Sequence, residues 1–547
     1  MSDHGGEQPV EKRHRSDNGP TTTTSVPVTI HPWYLSPSFT TPFRQAFTDR
    51  TLSTSYTSSN MGEEEEGEEG GNGDQRGTIL AYPFHTGKLH NIFPASFLHS
   101  LKAELHNTLT WHERSNDLYT FYQTDDLALN AQPHIKALRD YMAGEQFVSF
   151  MESLTGVQLT RGYLDIAAQR YKRGNHLLCH DDDVQRGKLT RRIAYIIYLV
   201  DEQWSSDDGG ALGLFGNNRD GQPTEEVVAR LTPEFNSLGF FLTGLVSYHT
   251  VEEVTVADPA RERWSVTGWF YGPVDTEPAT DDNDHESLIH GRHHHHHHHQ
   301  PLSPSLLPAM MPLADTTCVD DSVEWAKWIS ADYLGQKTQD QIQDSFLNQS
   351  SVELRQFLVP AIFDKVIEEF SRLSADDLVL LGPPHLRRYL QATTITAATE
   401  STRVLYALME FLRSASFARL ITALTSIDVT AVSQQLRRFD RGHYTLIHDQ
   451  VPEPFGLDVT LSLQPKEQHI EWDGDLWGGA THYIADKDEL LRITPESNSL
   501  SLVLRDEGTL RFVKYLNHMA PVSRQEVAMV FTIAPSESED DYNNDDE

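Results

Sequence analysis

The sequence predicts an α+β protein of two tandem units, each a set of helices followed by a small antiparallel barrel or jelly roll. Three observations predict it. First, a segment recurs. QRYKRGNHLLCHDDD at 169–183 and RRFDRGHYTLIHDQV at 437–451 share Arg170/Arg438, Arg173/Arg441, Gly174/Gly442, Leu178/Leu446, His180/His448 and Asp181/Asp449, 268 positions apart. Second, apolar residues at three-to-four spacing precede each copy, and short β-type runs broken by Gly, Asp, Asn and Pro follow it. Helices first and strands second suit a barrel with helices packed outside. Third, the repeat is unequal, because Asp182 of the first copy is replaced by Gln450 in the second. One copy keeps the residues a metal needs, which predicts a catalytic unit followed by a non-catalytic duplicate.

Residues 1–76 are rich in Ser, Thr, Gly and Glu with no sustained apolar period, and read as disordered. The first unit spans 77–275. Leu98, Leu101, Leu105 and Leu109, then Ile135, Leu138 and Met142, then Phe147, Phe150 or Met151 and Leu154, mark helices. Strand-type runs follow at Arg192–Leu199, Ala211–Phe215, Leu238–Leu242, Val246–Val251 and Trp264–Tyr271. Residues 276–320, acidic and carrying the run His293–His299, read as a linker, with the histidines a low-complexity insert rather than a metal site. The second unit spans 321–534. Leu358, Ile362, Val366 and Phe370 mark a helix, and Val459–Leu463, Leu500–Leu504, Thr509–Tyr515 and Val527–Ile533 mark strands. Pro94, Ala95 and Phe97 match Pro360, Ala361 and Phe363; Gly209-Gly210-Ala211 matches Gly478-Gly479-Ala480; Asn236-Ser237-Leu238 matches Asn498-Ser499-Leu500. Residues 535–547 form an acidic tail.

The formal charge is -36, about half of it from three acidic runs at 61–77, 275–286 and 537–547. Such a chain is a poor ligand for phosphate backbones, so no tight nucleic-acid binding is expected, and a basic protein partner fits better. Cys179 and Cys318 build neither a disulfide framework nor a cysteine zinc site. The N-terminus lacks the apolar run of a signal peptide, and no apolar run reaches membrane-spanning length. A soluble intracellular protein with no membrane partner is expected.

The chemistry rests on an ordered set. In a strand, residues i and i+2 share a face, so His180 and Asp182 both aim inward while Asp181 faces away. His249, in SYHTVEEV 67 residues beyond Asp182, completes a triad from a later strand segment. Two imidazoles and one carboxylate on one face of an octahedron suit Fe(II), leaving positions for a bidentate co-substrate and dioxygen. Arg263 lies fourteen residues beyond His249, and the turn-like VADPARE between them reads as a hairpin returning Arg263 beside the histidine. Its guanidinium suits the far carboxylate of a dicarboxylic co-substrate. Each residue alone has a bland reading: a core histidine, a solvated carboxylate, a surface arginine. The order is what carries the signal. In the second unit Val513 is read at the place of His249 while Arg524 persists, so His448 reads as structural.

These segments, with RRIAYIIYLV at 191–200, NSLGFF at 236–241, RWSVTGWF at 263–270 and DLYTFYQTDDL at 117–127, resemble the two-domain Fe(II)/2-oxoglutarate prolyl hydroxylases of the small ribosomal subunit. The resemblance is strong over about 80–275, and covers 320–535 as a degenerate second double-stranded β-helix. It implies a prolyl 3-hydroxylase of the ribosomal protein at the decoding centre, affecting translation accuracy and termination, in nucleus and cytoplasm. The implied cofactors are Fe(II), 2-oxoglutarate, dioxygen and ascorbate. Residue by residue it makes His180, Asp182 and His249 the iron ligands and Arg263 the 2-oxoglutarate anchor. Tyr171 and Tyr198 become co-substrate contacts, where their own sequence context reads as core packing. A regulatory partner is expected to use the second unit. Two rivals remain: an oxygenase with another protein, small-molecule or nucleic-acid substrate, and a non-enzymatic scaffold.

Overall fold

The computed structural model describes residues 26–49, 55–57, 76–274, 309–314, 320–374, 376–392, 401–447, 455–465, 471–486 and 488–534. His448, Asp449 and Gln450, the run His293–His299 and the acidic tail lie outside the described residues.

Four helices, α1 (Pro37–Asp49), α2 (Ala95–Thr108), α3 (Pro133–Ala143) and α4 (Glu145–Thr155), accompany the first sheet. Its strands are β1 (Ser55–Thr57), β2 (Arg76–Leu80), β3 (Thr86–His90), β4 (His112–Ser115), β5 (Tyr119–Gln123), β6 (Leu164–Tyr171), β7 (His176–His180), β8 (Gln185–Arg186), β9 (Leu189–Tyr198), β10 (Leu212–Asn217), β11 (Pro223–Leu231), β12 (Ser237–Leu242), β13 (His249–Val251) and β14 (Arg263–Pro273). The pairing order runs β1-β2-β3-β12-β9-β14-β6-β5-β7-β13-β10-β11, with β4 on β5 and β8 on β9. Strand β9 is apolar over 193–198 because that stretch is buried on both faces. Ile193, Tyr195, Ile197 and Leu199 pack against the helices. Ala194, Ile196 and Tyr198 point the other way, into a second cluster with Leu212, Leu214 and Phe241.

The second half holds α5 (Asp321–Trp328), α6 (Gln336–Gln349), α7 (Pro360–Ser371), α8 (Arg403–Leu412), α9 (Ala415–Thr425) and α10 (Gly474–Trp477). Its strands are β15 (Met311–Pro312), β16 (Ser351–Arg355), β17 (Leu378–Leu381), β18 (Arg387–Ala392), β19 (Val429–Phe439), β20 (Tyr444–Thr445), β21 (Gly456–Ser462), β22 (Thr481–Ala485), β23 (Asp488–Ile493), β24 (Ser499–Arg505), β25 (Leu510–Val513) and β26 (Arg524–Ile533). The order β16-β24-β21-β26-β19 follows β3-β12-β9-β14-β6 strand for strand, and β25-β22-β23 follows β13-β10-β11.

Local devices recur as well. Asn236, at φ +58, accepts from the Phe93 N–H and donates to the Phe93 carbonyl. Asn498, at φ +56, does the same with Leu358. Glu104 accepts the first N–H groups of α3, those of His134 and Ile135, and Glu369 accepts those of Val404 and Leu405 in α8. The two halves touch through polar and apolar contacts. Glu253 accepts from the Tyr515 hydroxyl and from His518, and Leu178 packs with Tyr444 and Leu446.

Two expectations change here. The segment 1–76 is not wholly without structure: Phe39, Phe43 and Phe47 form a buried stripe at i, i+4, i+8 along α1, behind buried Trp33 and Tyr34. Three apolar residues among Ser, Thr, Gln and Pro give a weak period in sequence, yet aromatic burial alone contributes several kcal/mol. Within 276–320, Met311–Pro312 pairs with β19, so that end of the stretch is part of a sheet.

Candidate metal centre

Strand β7 ends at His180 and β13 begins at His249, and the two residues are paired across the ladder. Register therefore sets their rings side by side, with centroids 4.2 Å apart. Each Nδ1 lies against a backbone carbonyl, His180 on Leu178 at 2.7 Å and His249 on Ser247 at 2.8 Å. A carbonyl only accepts, so each Nδ1 carries a proton and Nε2 is the ring atom turned toward the third donor. Asp182 supplies the third donor: its Oδ2 is 3.3 Å from His249 Nε2 and its Oδ1 is 3.7 Å from His180 Nε2. All three donor atoms lie within 4.8 Å of one another.

The route by which Asp182 arrives differs from the expectation. The strand stops at His180, and Asp182 has φ +63, in the left-handed region. Asp tolerates that region better than most side chains, so the carboxylate swings in at the strand's end rather than from a regular i, i+2 face. Asp181 stays outside the triad, accepts from the Asp183 N–H, and is pushed up to about 6 by burial.

Burial alone would raise the Asp182 carboxyl as well, but His249, His180 and Arg191 outweigh it and hold it far below the usual carboxylate range. Burial, with His249 adding to it, lowers His180 to about 4, keeping the ring neutral. Two residues that the sequence reading passed over orient the carboxylate. The Trp269 indole N–H donates to Oδ2 at 3.0 Å, and Arg191 Nη1 donates to Oδ1 at 3.4 Å. The Arg191 guanidinium in turn lies 3.5 Å from the Trp269 ring centroid. The signal for Trp269 was its place six residues beyond Arg263, even spacing that puts both on one face of β14.

Arg263 opens β14, paired with Tyr171 of β6, and is 1% exposed. Its Nε donates to the Gly210 carbonyl at 2.7 Å. Gly210 sits at φ +70, and a Cβ there would lie 2.6 Å from Arg263 Cδ, so this approach needs glycine. The guanidinium is held between the rings of Tyr171 and Tyr198, at 5.0 and 5.1 Å. Burial raises both phenols above their ordinary value, keeping them neutral. Arg263 Nη2 and the Tyr198 hydroxyl are buried without a hydrogen-bond partner.

The expected hairpin between His249 and Arg263 is absent. Strand β13 pairs with β7 and β10, while β14 pairs with β6 and β9, so residues 252–262 cross from one sheet face to the other. A cavity of about 460 Å³ joins the two centres, reaching His180, Asp182 and His249 at one place and Arg263, Ser265 and Gln169 at another. Tyr119, Phe121 and Gln123 line it too, alternate residues of β5 that the DLYTFYQ run already displayed with period two. Tyr171 and Tyr198 flank the arginine rather than line the cavity.

The residues fit Fe(II) and 2-oxoglutarate. Two imidazoles and one carboxylate converge, and Arg263, a buried cation with one donor unfilled, lines the same cavity.

The corresponding positions of the second half are filled. Strand pairing aligns Tyr483 with Leu214 and Arg511 with His249, so Arg511, not Val513, stands at the histidine's place. Its guanidinium is 2.7 Å from Asp458, which also pairs with Arg505. Arg524 donates to the Gly479 carbonyl as Arg263 does to Gly210, but also to Glu526, which accepts from Arg437 as well. The cavity beside Arg524 and Glu526 holds about 10 Å³, no more than one water.

Residues 166–271 match the family described as the 2OG-Fe(II) oxygenase superfamily, and 320–541 match that described as oxoglutarate and iron-dependent oxygenase degradation C-term. The chain is 34% identical to prolyl 3-hydroxylase OGFOD1 of Xenopus laevis, over 82% of this chain and 87% of that one. It is 31% identical to prolyl 3-hydroxylase OGFOD1 of Mus musculus, over 79% and 84%. It is 30% identical to prolyl 3,4-dihydroxylase OGFOD1 of Ostreococcus tauri, over 82% and 94%. At 34% identity over most of both chains, and with a 2OG-Fe(II) oxygenase match over the strands that hold the triad, the chain belongs to the prolyl 3-hydroxylase family of 2OG-Fe(II) oxygenases.

Proposed function

We propose that the first sheet, as a double-stranded β-helix, hydroxylates a proline of a basic ribosomal protein at the decoding centre, and that the second is its degenerate, non-catalytic duplicate. The observation that carries the reading is one cavity lined by His180, Asp182 and His249 and also by Arg263, whose Nη2 has no protein partner. The relatives' names support proline as the reacting residue. The charge of -36 favours a basic protein over nucleic acid. An effect on translation accuracy or termination, a place in nucleus and cytoplasm, ascorbate as reductant and a regulatory partner on the second half belong to the same proposal.

Ferrous iron bound with 2-oxoglutarate would supply, with dioxygen as oxidant, oxidative decarboxylation to succinate and carbon dioxide, one oxygen atom entering succinate and the other a substrate C–H bond. The protein's residues do the rest. His180 and His249 would hold the metal through Nε2, and Asp182 would offset part of its charge. Trp269 and Arg191 fix that carboxylate by one oxygen each, limiting how it turns. Arg263, pinned by Gly210 and the two tyrosine rings, pairs with the remote carboxylate, with Ser265 beside it at 3.5 Å from Nη1. Tyr171 and Tyr198 act on that carboxylate through Arg263, whose guanidinium their rings hold. Ile196, Leu212, Phe241 and Val251 form the apolar wall that keeps water out.

The test uses small-subunit ribosomal proteins from cells lacking this gene, incubated with the protein, Fe(II), 2-oxoglutarate and ascorbate. Peptide mass mapping should find one added oxygen on proline with the wild type and none with Asp182→Ala. Oxygen appearing on nucleotide, or on no proline, would move the substrate elsewhere.

A further inference from the structure

One sheet edge beside the cavity carries no further strand among the described residues, though Lys514 donates to the Ser115 hydroxyl at its end. Among the described residues β4 pairs only with β5, and Glu113, Arg114 and Ser115 are exposed. The register runs His112↔Gln123, Glu113↔Tyr122, Arg114↔Phe121 and Ser115↔Thr120 without a bulge. The Asn116 N–H donates to the Tyr119 carbonyl at 3.0 Å, so Asn116 and Tyr119 face each other as a hydrogen-bonded pair. Antiparallel ladders alternate, which makes Arg114 and Phe121 the next such pair. Glu113 and Ser115 then turn their N–H and C=O groups outward, away from β5. Residues opposite one another share a face, and both Arg114 and Phe121 line the cavity that holds the triad. The open edge therefore borders the cavity, and a residue added opposite Arg114 would point into it.

The geometry points to β-strand addition as the way a substrate is held: a proline-containing segment lies extended along β4, its proline opposite Arg114. This rests on the prolyl hydroxylase reading above and adds the recognition mode. Proline has no N–H and is tolerated in a sheet only where none is needed. A strand added to β4 bonds at the residues opposite Glu113 and Ser115, and the residue between them makes no bond to β4. That middle position is also the one facing the cavity, so the single register that bonds both neighbours presents the proline to the metal centre. Backbone pairing is blind to side chains. Selectivity falls to what Arg114 meets: it has no recorded ion-pair or hydrogen-bond partner among the described residues, and it stands beside the proline ring.

The experiment uses the full-length wild-type chain and the hydroxylated peptide recovered from the ribosomal-protein mixture, resynthesised with single backbone N-methyl groups. Methylation of the residue directly before or after the proline removes an N–H aimed at β4 and should raise KM by about tenfold. Methylation two residues away on either side, where the N–H points outward, should leave KM within about twofold. Equal effects at all four positions, or the opposite alternation, would overturn strand addition. Glu113→Pro tests the same bonds from the protein side, since that N–H does not serve the β4–β5 ladder, and should raise peptide KM with the KM for 2-oxoglutarate as control. A rise equalled by Glu113→Ala would assign the effect to the side chain and overturn the inference. If the wild type hydroxylates no proline in the mixture while still consuming 2-oxoglutarate, the substrate reading fails first and the pairing with it.

Discussion

Arg263 and Arg524 open matching strands, each donating to the carbonyl of a glycine at φ near +70, yet one faces an open cavity and the other is sealed. The difference lies two residues further on. Ser265 leaves Arg263 Nη2 without a partner, whereas Glu526 supplies Arg524 with a carboxylate from its own strand. An internal carboxylate thus stands where a bound one would be needed, and Arg437 locks it from β19. At the metal's place the same exchange occurs, with His249 giving way to Arg511 and a buried pair with Asp458. The same strand order leaves charges unsatisfied in one half and pairs them in the other.

The largest expected effect comes from breaking the donor set. Asp182→Ala should cut succinate formation by about a thousandfold or more, because the remaining histidines bind the metal weakly. Turnover close to wild type would remove the triad from the account. The two arginines then separate the halves. Truncating one partner of a buried charge pair costs about 2–4 kcal/mol, so Arg263→Ala should weaken 2-oxoglutarate binding by about 30- to 1000-fold. Arg524→Ala should leave that affinity alone and instead lower stability by about 3–5 kcal/mol in denaturant titration, since buried Glu526 loses one of its two cations. A 2-oxoglutarate affinity that responds to Arg524 would erase the contrast. A milder probe is Trp269→Phe, which keeps the ring over Arg191 but deletes the donor to Asp182. Metal affinity should fall about 10- to 100-fold, measured by competition with a chelator.

The smallest effect is a pH dependence. Burial alone would raise Glu526, but Arg524 and Arg437 outweigh it and hold the carboxyl at about 2. A carboxyl with a depressed folded value binds fewer protons folded than unfolded. Its stabilisation is full above the unfolded value near 4.5 and is lost as pH falls from there to about 2. Glu526→Gln should flatten the acid limb of the stability curve in that window, and an unaltered slope would deny the charge its role.

The triad and Arg263 were legible because donor chemistry and chain order survive in sequence: His-x-Asp, a later His and a later Arg keep their identity whatever the loops do. The path between them was not. A turn-like VADPARE looks the same whether it closes a hairpin or crosses between sheet faces, and only strand pairing separates the two. Register explains the other miss. Counting across loops of unequal length put Val513 at the histidine's place, while the ladder with β22 puts Arg511 there. Even spacing from Arg263 put Trp269 on the same face of β14, but its indole N–H on Asp182 and the Arg191 guanidinium stacked on its ring are contacts that sequence does not announce. In α1, three phenylalanines carry the helix's whole apolar face, so composition spoke for disorder where packing decided otherwise.

The most direct test of the contrast between the halves is anaerobic titration of the full chain with Fe(II) and 2-oxoglutarate. One equivalent of each should bind, the metal lost with Asp182→Ala and the 2-oxoglutarate weakened with Arg263→Ala. A second equivalent, or binding that survives both substitutions, would contradict a single site in the first half.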